Sequence, residues 1–225
     1  MFDRVHVVGA GRAGSAITAR LAERGVSVGP LDPGGDQARA LVLLCIPDDQ
    51  IDRVAEEVAE GPWIAHVSGA TPLAALSPHR RRFGVHPLQT LVRGRGPEQL
   101  DGAWGAVTAD DEPGRERGWW LARTLGLVPF DLADDRRVLY HAGAAMASNF
   151  LVTLHDAAAS LLSSAGVPRD ALLPLMRRTI DNGFELTGPI ARGDRGTIDR
   201  HVRALREETP DLVPLYQALA EATRP

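Results

Sequence analysis

The chain has 225 residues, 44% of them apolar and 24% charged, with a formal net charge of −4, enough for two modest domains that each bury a core. No apolar run approaches the ~20 residues that span a bilayer and no basic tract offers a nucleic-acid footprint, so membrane and nucleic-acid partners are both set aside. All 25 residues counted as Lys+Arg are arginines, which excludes lysine Schiff bases, a Walker lysine and any lysine general acid.

The N-terminus enters a strand-like pattern at once, without a basic flank, apolar stretch and cleavage site, and the expected location is cytoplasmic. Residues 5–8 form an apolar strand, followed by Gly9, Ala10, Gly11, Arg12, Ala13 and Gly14. Ala13, Ala16, Ile17 and Leu21 then recur at helical spacing up to Gly25. Strand, glycine turn and helix together give G-x-G-x-x-G the context of a dinucleotide-binding fingerprint. Gly9 permits the sharp turn, Gly11 admits a pyrophosphate, and Gly14 lets the helix pack closely, while the helix N-terminus supplies free N–H groups. Arg12 and Ala13 complete this cofactor-binding set.

The next stretch is short for its place. Residues 26–31 read as a second strand, "DPGGDQ" as a turn and 41–46 as the next core strand, with an intervening helix and strand deleted or reduced to a loop. Asp32 falls where an acidic residue contacts the adenosine ribose, although the same string is an ordinary turn. Nothing here selects NAD over NADP. Cys45 lies in the apolar run "LVLLCIP" and reads as packing; one cysteine makes neither an internal disulfide nor a thiolate zinc site.

Four strand candidates in succession end in small or polar residues: the glycine turn, "PDDQI", "SGATP" and "HPLQTL". In an open α/β sheet, carboxyl ends of strands surround the ligand cleft. Pro47 and Asp48 are therefore placed along the cofactor, with Asp49 capping the next helix. Ser68 and Gly69 are placed on the nicotinamide side. His86 is placed at a strand end, its turn fixed by Pro87, where an imidazole can exchange a proton near neutral pH. Polar residues after strands are also what ordinary loops contain. Residues 104–130 add strand, amphipathic helix and strand, with Trp119 and Trp120 as packing.

From Asp134 the pattern is helical. A stretch of about thirty residues ends at Gly166, and three further helices follow. His141, Ala145, Ser148 and Asn149 share one broad face of the long helix, either as an interface stripe or as a ligand surface addressed by His141 and Asn149. Arg192, in the loop "TGPIARGD", is suited to clamp a substrate carboxylate, and Asp194 to cap the helix after it. A histidine metal site has no supporting spacing, and no metal is expected.

The strings "VGAGRAGSA", "IPDDQI", "HVSGA", "GVHPLQTL", "YHAGAAMASNFLVTLHDAA" and "LTGPIARGD" together resemble the Rossmann-like proteins with a DUF2520 C-terminal domain, related to the 6-phosphogluconate dehydrogenase and pyrroline-5-carboxylate reductase superfamily. The resemblance covers most of the chain. It implies an NAD(P)-binding N-terminal domain, a helical C-terminal domain that dimerises, and oxidoreductase activity. The chain departs from the family in the shortened stretch after the first helix and in a shorter approach to the Arg192 loop. Hydroxyacid dehydrogenases of the wider superfamily place a lysine one turn before an asparagine on the long helix. Here that position is Ala145, so a reductase would take its proton from His86 or His141, ideally with a pKa near the working pH.

The expected fold is α/β then all-α: a shortened Rossmann-like parallel sheet domain over 1–132, then a helical substrate and dimerisation domain over 133–225. The expected function is NAD(P)-dependent oxidoreduction of a small carbonyl or imine compound bearing a carboxylate. His86, His141 and Asn149 are assigned to chemistry and Arg192 and Ser148 to substrate, with reduced F420 ranked behind NAD(P) as cofactor and a homodimer through the C-terminal helices. The alternative is a noncatalytic dimeric ligand-binding or regulatory protein on a degenerate dinucleotide-binding fold.

Overall fold

The computed structural model describes residues 1–31 and 35–224; the expectation for Asp32 lies outside them. The chain runs β1 (Arg4–Val8), α1 (Arg12–Glu23), β2 (Ser27–Val28), β3 (Ala40–Leu44), α2 (Ile51–Glu57), β4 (Trp63–His66), β5 (Arg82–Leu88), β6 (Trp104–Ala109), α3 (Glu112–Thr124) and β7 (Val128–Asp131). Then come α4 (Arg137–Ser164), α5 (Leu172–Asp181), α6 (Gly188–Ala191), α7 (Arg195–Glu208) and α8 (Val213–Ala222). One seven-stranded sheet has the order β2-β1-β3-β4-β5-β6-β7. All neighbours are parallel except β5 and β6.

β3 shows why its sequence is a continuous apolar run. Its five residues are all buried; Leu41 and Leu43 enter one core with Ile17, Leu21 and Phe83. Val42 and Leu44 enter the opposite core with Ile51, Ile64 and Leu76. Successive side chains point to opposite faces, so a strand covered on both must be apolar throughout. β2 is only two residues long and pairs Ser27 with Arg4 and Val28 with Val5. Between β2 and β3 the described residues hold one 3-10 turn, Gln37–Arg39, and no helix or strand, as the shortened reading expected.

Three local expectations are corrected. β5 does not stop before His86: it runs to Leu88 and pairs His86 with Ala106 and Pro87 with Gly105. β4 pairs β5 only as far as Gly84, so beyond it one side of β5 has no partner strand and proline is tolerated there. Asp49 does not cap α2; it lies in a 3-10 turn, Asp48–Gln50, and Gln50 precedes the helix without a side-chain cap bond. The Arg192 loop contains the short helix α6, with Arg192 at its C-terminal end.

The chain divides into compact units Met1–Met146 and Ala147–Pro225. The change of pattern from strand to helix comes earlier in the sequence, whereas packing divides the chain inside α4. In the second unit Asp194 caps α7 by accepting from the Thr197 N–H at 3.0 Å, as its sequence position suggested. No helix among the described residues is long and apolar enough to cross a membrane.

Candidate functional site

The glycine turn is held by close backbone approach. Gly9 has φ of +106°, and a Cβ there would lie 2.4 Å from the Cys45 carbonyl oxygen. A Cβ on Gly14 would lie 2.0 Å from the Gly9 carbonyl oxygen. Both positions exclude a side chain by contact with the protein itself. Gly11 differs: a Cβ there meets nothing within 4 Å, so its bare face opens on free space at the N-terminus of a twelve-residue helix. That is the cradle a pyrophosphate requires, with backbone N–H groups and no side chain in the way. Arg12 is exposed and Ala13 half-buried in the first turn of α1.

The cradle connects along the carboxyl ends of β1, β3, β4 and β5. Gly9 abuts Cys45, which follows β3 and whose thiol burial pushes up to about 12, making it inert packing. Pro47 and Asp48, both exposed, come next. The buried Ser68 hydroxyl donates to Asp48 Oδ2 at 2.7 Å and lies 2.9 Å from Thr71 Oγ1. It also accepts from the Ala70 and Thr71 N–H groups at 3.2 and 2.9 Å. Its hydroxyl therefore ties the turn after β4 to the turn after β3, and the buried Gly69 follows directly.

Two imidazoles close over Gly69. A Cβ there would sit 2.4 Å from His141 Cδ2 and 2.9 Å from His86 Nε2, so only glycine fits. The two rings meet edge to face with centroids 5.7 Å apart. His86 and His141, separated by 55 positions and assigned to one role in the sequence, are thus brought together. His86 Nδ1 lies 2.8 Å from the Tyr140 hydroxyl. Burial, then the charges of His141 and Arg137, push the His86 pKa down to about 4, with Asp48 acting weakly the other way. It is therefore a neutral imidazole at neutral pH, not the near-neutral titrating acid expected of a solvated strand-end histidine; desolvation is the main reason.

Three residues that sequence reasoning missed lie beneath this surface. Arg137, with no exposed surface, donates to Thr108 Oγ1 at 2.7 Å and to the Ser68 carbonyl. It forms no ion pair within 4 Å among the described residues. His66, at the end of β4, is also fully buried, and neither ring nitrogen makes a well-formed hydrogen bond among the described residues. Burial, then Arg137, push its pKa down to about 3. The third is Tyr140, whose hydroxyl burial raises to about 12. Arg137, Tyr140 and His141 stand at i, i+3 and i+4 on the first turn of α4. That spacing was the available signal for a shared face.

Ser148, Asn149 and Arg192 belong to the second unit. Ser148 is half-buried, whereas Asn149 and Arg192 are exposed. No group of three or more His, Cys, Asp or Glu with metal-binding geometry occurs among the described residues.

A mostly parallel sheet with a glycine turn after β1 and polar groups along the strand ends defines a Rossmann-like protein. The profile described as "Domain of unknown function (DUF2520)" matches residues 103–223, over half of the chain, and the chain belongs to that family. Among solved structures it is similar to a "putative NADP oxidoreductase" of Bacteroides fragilis, with TM-score 0.79, 22% identity, and 98% of this chain and 97% of that one covered. A Thermotoga maritima protein matches with TM-score 0.73 and 21% identity over 97% and 96% of the two chains. A reductive aminase of Aspergillus terreus, solved with NADPH and ethyl levulinate, matches with TM-score 0.69 and 15% identity over 99% and 93%. No curated protein sequence matches.

Proposed function

We propose that the protein is an NAD(P)-dependent oxidoreductase acting on a small carbonyl or imine compound that bears a carboxylate. The observation carrying this reading is adjacency along the carboxyl ends of one sheet: Gly9 abuts Cys45, Asp48 three positions on bonds Ser68, and the next residue, Gly69, abuts His86 and His141. The structural likeness to oxidoreductases, one of them solved with NADPH, supports it.

When bound, the nicotinamide would supply or accept hydride. Gly9, Gly11, Arg12, Ala13 and Gly14 would hold the pyrophosphate, with Pro47, Asp48, Ser68 and Gly69 lining the way to the reacting end. His86 and His141, whose rings meet over Gly69, would face the reacting group, His86 as a neutral imidazole. Asn149 is carried as a catalytic candidate that orients the substrate through its amide, and Ser148 and Arg192 as substrate-binding candidates, all on their chemistry alone, the guanidinium for a carboxylate. A homodimer is part of the proposal because the second unit leaves large apolar side chains in water, among them Phe150 and Leu175.

Calorimetric titration with NADPH, NADH, their oxidised forms and reduced F420 tests the reading. Binding of a nicotinamide nucleotide is expected, lost in Gly11→Asp because a carboxylate would fill the open face and repel phosphate. Failure of all of them to bind at millimolar concentration would overturn it. That result would favour a noncatalytic dimeric binding protein, the reading to which the shortened stretch between β2 and β3 points.

A further inference from the structure

His86 has two ring nitrogens with different surroundings. Nδ1 meets the Tyr140 hydroxyl at 2.8 Å; Nε2 lies on the Gly69 side, so close that a methyl group on Gly69 would come within 2.9 Å of it. In a neutral imidazole one nitrogen carries the proton and the other accepts. The bond that Nδ1 makes decides which.

Tyr140 can settle the matter because its hydroxyl has no other protein partner among the described residues. A phenol has one proton to donate, and a half-buried phenol that gives it to nothing forfeits a hydrogen bond. If His86 instead donated from Nδ1, the Tyr140 proton would have no protein acceptor, and Nε2 would turn a bare lone pair toward the site. If Tyr140 donates, the bond is satisfied and the imidazole proton sits on Nε2. The ring is also clamped mechanically, since Tyr140 and His141 both stand edge to face against it, with centroids 5.5 and 5.7 Å away.

We propose that Tyr140 is a positioning residue that fixes His86 as its Nε2–H tautomer, so that a neutral imidazole presents a hydrogen-bond donor on the side of Gly69 and His141. The charged and titratable groups around His86 agree with a neutral ring. Arg137 and His141, both on α4, oppose a second positive charge, and His66 lies on the neighbouring strand β4. Asp48, after β3, is the one acidic group acting on it, and its effect is the weakest. Arg137 is fixed in place by Thr108 and the Ser68 carbonyl, so its charge stands at a set position.

The consequence for chemistry rests on the oxidoreductase reading. A neutral N–H donor polarises a carbonyl or imine by hydrogen bonding without giving up its proton, as preorganised donors do toward developing negative charge. The two imidazoles then have different work: His86 polarises, and His141 is left for proton exchange. The tautomer itself follows from the Tyr140 contact and does not depend on any reaction.

The test is long-range 1H–15N correlation spectroscopy on the full chain labelled with 15N-histidine, with His86→Gln used to assign the His86 signals among the seven histidines. The wild type is expected to show His86 protonated on Nε2 and accepting at Nδ1 across roughly pH 6 to 8, where an ordinary histidine titrates. Tyr140→Phe is expected to convert that signal to a mixture of tautomers while the other histidines keep theirs. A wild-type His86 protonated on Nδ1 would overturn the proposal, as would a Tyr140→Phe spectrum that keeps the pure Nε2–H form. Should Tyr140→Phe fail to fold, the wild-type spectrum alone decides. Adding NADPH, NADH and their oxidised forms in turn to the same samples separates the two readings: absence of binding by all of them with the Nε2–H tautomer intact ends the oxidoreductase reading and sustains the tautomer assignment.

Discussion

The two compact units manage their apolar surface differently. In the first, both faces of the sheet are covered: Leu41, Phe83 and Val107 pack on one side and Leu44, Ile64 and Leu76 on the other, all buried. In the second, the buried apolar residues are Ala159, Leu172, Leu205 and Ala220 among the described residues, while Phe150, Leu175 and Phe184 are 55%, 63% and 70% exposed. The difference teaches where each unit finds its stability. A sheet with helices on both faces can close its own core; a set of helices with bare apolar flanks leaves surface for burial against something else, which is the ground for the proposed homodimer.

The largest expected effect breaks or upholds this contrast directly. The wild type is expected to sediment as a dimer, and Phe150→Glu with Leu175→Glu as a monomer, with the first unit's fold retained. A monomeric wild type would end the contrast, because the exposed flanks would then be stable in water.

The second effect belongs to the first unit and is driven by pH. His66 and His86 have folded pKa values of about 3 and about 4, below the ordinary 6.5, so the unfolded chain takes up protons first as pH falls. Their contribution is complete above roughly pH 6.5 and is lost as pH drops toward the folded values, at up to about 1.4 kcal/mol per pH unit for each histidine. Denaturant unfolding between neutral pH and pH near 4 should show this slope, and His66→Leu should remove about half of it. An unchanged slope would mean that His66 charges in the folded state.

Next in size is Gly14→Ala. The added methyl would collide with the Gly9 carbonyl, and overpacking against backbone costs typically about 1–3 kcal/mol. Chemical denaturation should report that loss; a neutral change would show that the glycine turn relaxes freely, which would weaken the cradle argument. The smallest effects compare the units with matched substitutions. Asp111 caps α3 by accepting from Gly114 N–H at 2.8 Å, and Asp194 caps α7 at 3.0 Å. Each Asp→Ala should lose about 1 kcal/mol. Hydrogen exchange should place the first loss in the sheet unit and the second in the helical one; spread of either across the chain would show that the two units unfold together.

Much of this was legible because it is local. The glycine turn, the continuous apolar run of β3 and the helical second half each depend on residues within a few positions of one another. The shortening after α1 was legible as a count of residues. His86 was singled out but described as a strand-end turn residue, since Pro87 reads as a breaker unless one knows that β5 has lost its β4 neighbour by that point. Tyr140 escaped notice because its partner lies 54 positions away, and His66 because one polar residue inside "WIAHV" gives no hint that neither of its nitrogens makes a well-formed hydrogen bond among the described residues.

The sequence by itself determined the order of elements, the cradle geometry at Gly9 and Gly14, the absence of lysine chemistry and the membership of His86 and His141 in a short roster of candidates. Tertiary structure alone decided that those two rings meet over Gly69, that Arg137 is buried, and that the His86 ring is neutral. The physical reason is range. Backbone propensity and side-chain periodicity act within a turn or two of chain, whereas desolvation and charge depend on what the fold brings within a few ångströms from far along it.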